Sequence, residues 1–132
     1  VSSLSPLLET LRQRRYMLAV ASSSPLRVIN FVLDMFSLHA YFDAVVSGEC
    51  TENGKPQPDI YLHTAERLGV DPSECVAIED SINGVRSAIG AGMYCIAVPD
   101  KRLSREPFES AHMILESLDQ LRPEVFESLR TL

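Results

Sequence analysis

Hydrophobic positions follow two alternating patterns along this chain. Short, continuous apolar runs are separated by longer segments in which apolar residues recur every three or four positions. Continuous runs are typical of strands covered on both faces, and the wider spacing is typical of amphipathic helices. The predicted strands are 16–21, 42–48, 75–78 and 93–98, with a weaker fifth at 112–117. The predicted helices are 5–15, 25–36, 58–70, 81–92 and one or two more in 118–132.

Strands that alternate with helices predict a parallel sheet with right-handed crossovers and helices on both faces. The fold class is therefore α/β, a Rossmann-like three-layer sandwich. The leucine-rich faces at 7–11 and 28–33 are predicted to face the core. The length of 132 residues fits one domain, and no internal repeat interrupts the pattern.

Charge and cysteine content narrow the functional classes. The net charge is −6, with 18 acidic and 12 basic residues. The sequence has no stripe of basic residues of the kind that marks a nucleic-acid-binding surface. No apolar run approaches the ~18 residues of a membrane span, and no signal peptide is visible. The three cysteines, Cys50, Cys75 and Cys95, lack the spacing of a zinc site or a disulfide framework. Cys75 and Cys95 are predicted to be small buried hydrophobes in a reducing cytoplasm.

Three kinds of polar group follow the predicted strands. Ser22, Ser23 and Ser24 follow the first strand, a Gly/Pro-rich loop carrying Lys55 follows the second, and Glu79-Asp80 ends the third. Ligands of open α/β sheets bind outside the carboxyl ends of the strands. A phosphate is bound well by hydroxyl groups, by the backbone N–H groups of a helix N-terminus and by the charge of a lysine. Carboxylates are typical ligands of Mg²⁺.

Each of these groups also has an ordinary structural explanation. Ser24 precedes Pro25 and could cap the next helix, and a lysine in a proline-rich turn is commonly solvated. Asp80 or Ser81 could cap the helix that follows. A capping box is not available, because Gly84 occupies the position three residues after Ser81.

Three ordered motifs carry a family resemblance. "LAVASSSP" (18–25), "GKPQPDIYLHTAERLGVDPSECVAIEDSINGV" (54–85) and "SAIGAGMYCIAV" (87–98) resemble segments of the haloacid dehalogenase-like (HAD) phosphohydrolases. Within that family, the chain resembles the branch of β-phosphoglucomutase and 2-deoxyglucose-6-phosphate phosphatase. The resemblance runs over about residues 6–121 and agrees in both residue type and spacing.

The resemblance implies phosphate-binding roles. Ser22 would donate its hydroxyl to the transferring phosphoryl group, and Ser23 would contribute to the same phosphate site. Lys55 would stabilise the charge on that group and on the nucleophile. The implied reaction is hydrolysis of a phosphate monoester through a phospho-aspartate.

The resemblance also implies a Mg²⁺ site. Asp80 would be a metal ligand, directly or through water. Glu79 would be a second ligand or an orienting group, and Asn83 would help to order the loop. The expected partner is a small phosphorylated sugar or polyol.

The first motif of the family is not in this sequence. That motif is an Asp-x-Asp on the first strand, which supplies the nucleophile and the general acid/base, and no Asp-x-Asp occurs in 1–132. Asp34 lies in a helical pattern and is no substitute. A cap domain is missing as well, so 1–132 would be a partial HAD core that begins after the first strand and the cap. In the family that strand lies between the first and third strands predicted here, so two inner strand edges would be unpaired. The chain alone would then be unstable or rearranged unless another segment fills the gap, and it would be inactive.

Alternatives remain at this point. The parent protein could be a sugar phosphomutase, or the chain could be a non-catalytic module that keeps the phosphate site. A signalling receiver domain combines similar groups, but there the acids precede the hydroxyl and the lysine along the chain. The sequence predicts neither the exact substrate nor the oligomeric state.

Overall fold

A computed structural model describes residues 4–129 of the chain. Its helices are α1 (Leu4–Gln13), α2 (Leu26–Met35), α3 (Asp59–Leu68), α4 (Ile82–Gly90) and α5 (Pro123–Leu129). Its strands are β1 (Ala19–Ser22), β2 (Ala44–Ser47), β3 (Val76–Glu79), β4 (Tyr94–Ala97) and β5 (Met113–Ile114). The predicted alternation of strands and helices is confirmed, and residues 130–132 of the predicted tail lie outside the described residues.

The element boundaries differ by a few residues from the predicted ones. β1 begins three residues later than the apolar run does, and the backbone N–H of Leu18 is bound by the side chain of Asp43. α3 ends at Leu68, and the capping residue Gly69 has a φ of 72°, the left-handed conformation that favours glycine at a helix end. Pro25, rather than Ser24, is the N-cap residue of α2 and makes no side-chain capping bond. The suggested cap role of Ser24 is therefore wrong.

All strand pairs are parallel, but the sheet is interrupted. β1 pairs with β2, and β3 pairs with β4, which in turn pairs with β5. In the described part of the chain, no strand pairs with the other edge of β1 or with the other edge of β3. All four residues of β1 are only half-buried, whereas three of the four residues of β4 are buried.

One layer of helices spans the interruption. α3 packs on β1 and β2, α4 packs on β3 and β4, and the two helices contact each other. Their shared core joins both parts of the sheet through Val46, Ile60, Ala77, Val85 and Cys95. The core on the opposite face is divided into two clusters. The gap between β1 and β3 is therefore covered on one face and flanked by separate clusters on the other.

The outer surface of α2 departs from the prediction for the apolar face 28–33. Ile29 and Leu33 are buried as expected, but Val28, Phe31 and Val32 are exposed. The prediction was wrong for these three residues because α2 packs on β2 and on the short helix His39–Tyr41 through the face that carries Ile29 and Leu33.

Free cysteines and short helices complete the architecture. None of the three cysteines forms a disulfide. Cys95 is fully buried. Desolvation, with a smaller effect of the negative charge of Glu79, raises the pKa of the Cys95 thiol to about 11. Cys75 is half-buried. Within the described part of the chain, none of the helices combines the length and the apolar character needed to cross a membrane.

Candidate functional site

Polar side chains lie where the parallel strands end. β1 ends at Ser22, β2 at Ser47 and β3 at Glu79, and Asp80 follows directly. Because the strands are parallel, these carboxyl ends lie at the same edge of the two sheets.

Lys55, Glu79 and Tyr61 form a buried cluster at this edge. Lys55 Nζ lies 2.6 Å from Glu79 Oε2, and the hydroxyl of Tyr61 donates a hydrogen bond to the same oxygen. Side-chain exposure is 14% for Lys55 and 7% for Glu79, so both charges are largely removed from water. The ammonium also lies 5.3 Å from the centre of the Tyr61 ring, within cation–π range. One carboxylate oxygen thus accepts from a charged donor and a neutral donor.

Tyr61 is held in its protonated form by its surroundings. Burial, followed by the negative charge of Glu79, raises the pKa of the Tyr61 hydroxyl far above its usual value. The group therefore remains a hydrogen-bond donor throughout the pH range in which proteins stay folded.

Because Gly84 has no side chain, the carboxylate of Glu79 can occupy the space beside it. A Cβ atom at residue 84 would overlap Oε1 and Cδ of Glu79 and would lie 2.7 Å from Oε2. The backbone N–H of Gly84 is bound by Ser81 Oγ at 3.0 Å, which caps α4. The first turn of α4 is therefore built around the carboxylate of Glu79.

We expect Gly84→Ala to destabilise the protein and to release Lys55 from Glu79. Displacing a buried paired carboxylate costs about 3 kcal/mol or more, against about 1 kcal/mol gained in helix propensity, so the net loss is about 2 kcal/mol. Urea unfolding measures this loss. Gly90→Ala in the same helix is the control, because a Cβ there would lie 3.6 Å from Pro58, an ordinary contact. Equal stability of the two variants would contradict the steric argument.

Asp80 differs from its neighbour Glu79. It is exposed, and Ser81 rather than Asp80 caps α4, so the capping role suggested for Asp80 is wrong. Asp80 borders an open cleft of about 600 Å³ beyond the ends of β3 and β4. The cleft is also lined by Ile78, Val98, Asp100, Lys101, Glu116 and Leu118.

The donor set fits a Mg²⁺ ion only in part. Mg²⁺ keeps several waters and binds through one or two carboxylates plus phosphate oxygens, and the exposed carboxylate of Asp80 suits that role. Glu79 Oε2 is already engaged by Lys55 and Tyr61, and Oε1 faces Gly84. Among residues 4–129, no group of three or more His, Cys, Asp or Glu side chains is placed to hold a metal.

The serines at and after the end of β1 are joined to the end of β2. Ser22 Oγ accepts the backbone N–H of Ser24 at 3.2 Å, which leaves its own hydroxyl proton available for donation. Ser47 Oγ donates to the carbonyl of Ser24 at 2.7 Å. Ser23 is exposed, and its Cα would lie 3.1 Å from a Cβ at Gly48. The two loops therefore support each other closely.

One backbone donor at the N-terminus of α2, which the sequence suggested as part of the phosphate site, is already occupied. Glu49 Oε1 accepts the backbone N–H of Leu26 at 2.9 Å. A carboxylate at this position already satisfies the helix dipole and one of its donors, so this N–H does not face a phosphate.

The structure brings some predicted residues together and keeps others apart. Lys55 contacts Glu79, but Ser22 and Asp80 lie on opposite sides of the gap between β1 and β3. No hydrogen bond joins Ser22 to Lys55 or Asp80 in the part of the chain that the structure describes. Asn83 is exposed in the first turn of α4.

Sequence reasoning missed two contributors, Tyr61 and Glu49. Tyr61 lies on the buried face of α3 beside Ile60, and a buried tyrosine generally needs a partner for its hydroxyl. That pattern could have drawn attention to Tyr61. Nothing in the local sequence indicates that Glu49 binds Leu26, because the two residues are 23 positions apart.

Comparison with known proteins identifies relatives of this chain. Residues 2–92 match the family model described as haloacid dehalogenase-like hydrolase. Hexitol phosphatase B of Escherichia coli O157:H7 is 41% identical over 111 residues, which cover 83% of this chain and 50% of that protein.

Solved structures show the same architecture. CbbY from Rhodobacter sphaeroides in complex with xylulose-(1,5)bisphosphate gives a TM-score of 0.82 at 33% identity, covering 89% of this chain and 54% of that one. A β-phosphoglucomutase from Clostridium difficile gives 0.85 at 26% identity, covering 98% and 57%. The chain thus spans about half the length of these relatives.

Proposed function

Because the chain belongs to the haloacid dehalogenase-like hydrolase family, we propose that it carries the phosphate- and metal-binding half of a Mg²⁺-dependent phosphatase. The substrate class is a small phosphorylated sugar or polyol. The observation that carries this proposal is the juxtaposition of a buried, carboxylate-paired Lys55 with the exposed carboxylate of Asp80 at one sheet edge. A reducing compartment such as the cytoplasm suits the three free cysteines.

The residues of this chain act on the phosphoryl group by position and charge. Ser22 donates its hydroxyl to a phosphoryl oxygen, and Ser23 contributes its backbone at the same loop. Lys55 is held with its charge at the strand ends, where it neutralises the transferring group. Stabilisation of this kind supplies most of the rate enhancement in phosphoryl transfer.

Asp80 is the proposed metal ligand, and Glu79 is the proposed orienting group for Lys55. When bound, Mg²⁺ neutralises phosphoryl charge. Asn83, exposed beside these residues, orders the loop after β3. The buried position of Glu79 supports the orienting role over direct coordination.

The gap between β1 and β3 fits one further parallel strand. Both facing edges are unpaired in the described residues, and α3 and α4 already cover one face of the gap. A strand in this position would bring the nucleophilic aspartate between Ser22 and Asp80. That aspartate would attack phosphorus as the phosphorus–oxygen bond to the substrate breaks, and the leaving oxygen would take a proton from the second acid of the Asp-x-Asp motif. Water, giving its proton to the same acid, would then hydrolyse the acyl phosphate to free phosphate and carboxylate.

We expect residues 1–132 alone to show a broad thermal transition or none, because two inner strand edges are unpaired. Circular dichroism melting measures this. The control is the protein encoded by the complete reading frame that contains these residues, called the reading-frame product below. In that protein a further strand is proposed to fill the gap. A sharp cooperative transition of residues 1–132 at ordinary temperatures would contradict the proposed strand.

The reading-frame product tests the activity directly. It should release phosphate from a generic aryl phosphate and from hexitol and pentulose phosphates when Mg²⁺ is supplied. Hexitol phosphates are included because a relative is named hexitol phosphatase B, and pentulose phosphates because CbbY binds xylulose-(1,5)bisphosphate. Phosphate binding without release would instead favour a non-catalytic module.

A sugar phosphomutase is the second candidate. The likeness to a β-phosphoglucomutase structure favours it. Conversion of one sugar phosphate to its isomer without net phosphate release would identify this activity.

A further inference from the structure

The carboxylate of Glu79 accepts hydrogen bonds from two donors that lie in different parts of the structure, one in a loop and one on a helix. Lys55 lies in the loop between Cys50 and α3, whereas Tyr61 lies on α3, in the buried core beneath both sheets. Tyr61 is 7% exposed and cannot move without disturbing its neighbours in the core. Tyr61 is therefore the donor anchored in the core, and Lys55 is the donor carried by a loop.

We infer that Tyr61 is a positioning residue, which fixes Glu79 and thereby holds the Lys55 ammonium at the strand ends. Three contacts support this role. Its hydroxyl donates to Glu79 Oε2, its ring lies under the ammonium of Lys55, and the opposite side of the carboxylate is bounded by Gly84. The inference rests on the proposed function only in one respect, namely that the positioned Lys55 acts on a phosphoryl group.

Loss of the hydroxyl would leave Glu79 with one donor, Lys55, which is carried by a loop. A buried carboxylate that loses a hydrogen bond shifts towards conformations in which water replaces it. Glu79 would then turn outward together with Lys55, and the ammonium would become accessible to solvent reagents. Tyr61→Phe tests this, because it removes the hydroxyl but keeps the ring beneath the ammonium.

The chain offers an internal reference for this measurement. It contains two lysines, Lys55 and Lys101, and Lys101 is exposed. Competitive acetylation of the reading-frame product, read by mass spectrometry of chymotryptic peptides, gives the ratio of their reactivities. In the unaltered protein Lys55 should react much more slowly than Lys101.

Tyr61→Phe is expected to raise the reactivity of Lys55 relative to Lys101 by about tenfold, the effect of losing one hydrogen bond to a charged group. Thr64→Val is the matched control. It also removes a buried hydroxyl from α3, but that hydroxyl donates only to the carbonyl of Ile60 within the helix. The control should leave the Lys55 to Lys101 ratio unchanged.

Each other outcome overturns the inference. An unchanged ratio in Tyr61→Phe, or an equal rise in Thr64→Val, would show that the hydroxyl does not position Lys55. Equal reactivity of the two lysines in the unaltered protein would remove the premise. Loss of the helical circular dichroism signal in Tyr61→Phe alone would assign the hydroxyl to stability instead.

Turnover supplies a separate readout. If the reading-frame product is a phosphatase, Tyr61→Phe should lower kcat about tenfold and change KM little, because Lys55 acts on charge that develops during transfer. Labelling needs no turnover, so the proposed function can fail while the labelling result stands. The reverse holds as well: an active enzyme with unchanged labelling would overturn the role of Tyr61 alone.

Discussion

Replacement of Lys55 by methionine is expected to reduce phosphate release by the reading-frame product at least about a hundredfold, the typical effect of removing one charge-stabilising donor from an active site. The side chain keeps its length and its apolar stem, so packing against Tyr61 is largely retained. What disappears is the ammonium, which in the structure lies 2.6 Å from Glu79 Oε2.

The same change should also destabilise the fold, because it leaves Glu79 buried without its countercharge. Breaking a buried ion pair costs about 3–5 kcal/mol when one partner is removed. The double variant Lys55→Met/Glu79→Gln separates this cost from the chemistry. Its neutral glutamine still accepts a hydrogen bond from Tyr61, so stability should return while activity stays low.

Steady-state assays and urea unfolding of the two variants measure both effects. Lys101→Met is the control, since that lysine is exposed on the loop after β4 and pairs with no carboxylate among the described ion pairs. Activity of Lys55→Met within about threefold of the unaltered protein would rule out the charge-stabilising role, since the loss would be under 1 kcal/mol.

The elements of this fold were predictable from the sequence because they depend on local periodicity. The apolar run at 75–78 gave β3 to within one residue, and the glycine at 69 marked the end of α3. That Ser22 and Glu79 would lie at the carboxyl ends of their strands was predictable from the order of the elements, whereas their joint role as one site stays a prediction. Their assignment to elements required only the order of strands and helices.

The contacts within the site were not predictable in the same way. Tyr61 and Glu79 are 18 positions apart, and Lys55 and Glu79 are 24 apart, so no local period connects them. From the sequence, Glu79 and Asp80 could be described only as two adjacent acids. Contacts with Lys55 and Tyr61, which are distant in sequence, bury the carboxylate of Glu79, whereas Asp80 directly after β3 is exposed.

Asp80→Asn is expected to abolish Mg²⁺-dependent phosphate release by the reading-frame product, with a loss of at least about a thousandfold, since metal stabilisation of transferring phosphate is worth several kcal/mol. Stability should not change, because Asp80 is exposed and Ser81 caps α4 without it. The variant therefore separates chemistry from folding more cleanly than any change at Glu79 does.

Asparagine still offers one oxygen to a cation, but without the negative charge that a hard ion prefers. Higher Mg²⁺ concentrations should therefore restore part of the lost activity in Asp80→Asn. Mn²⁺ binding followed by electron paramagnetic resonance gives a readout that needs no turnover and should weaken in the same variant.

Asp100→Asn is the control for this site. Asp100 lines the same cleft and is exposed, but its carboxylate binds Arg102, which also lowers its pKa. Metal binding and activity should persist in that variant. Full activity of Asp80→Asn at low Mg²⁺, with unchanged Mn²⁺ binding, would exclude Asp80 as a ligand and leave the buried Lys55–Glu79 pair without a metal site beside it.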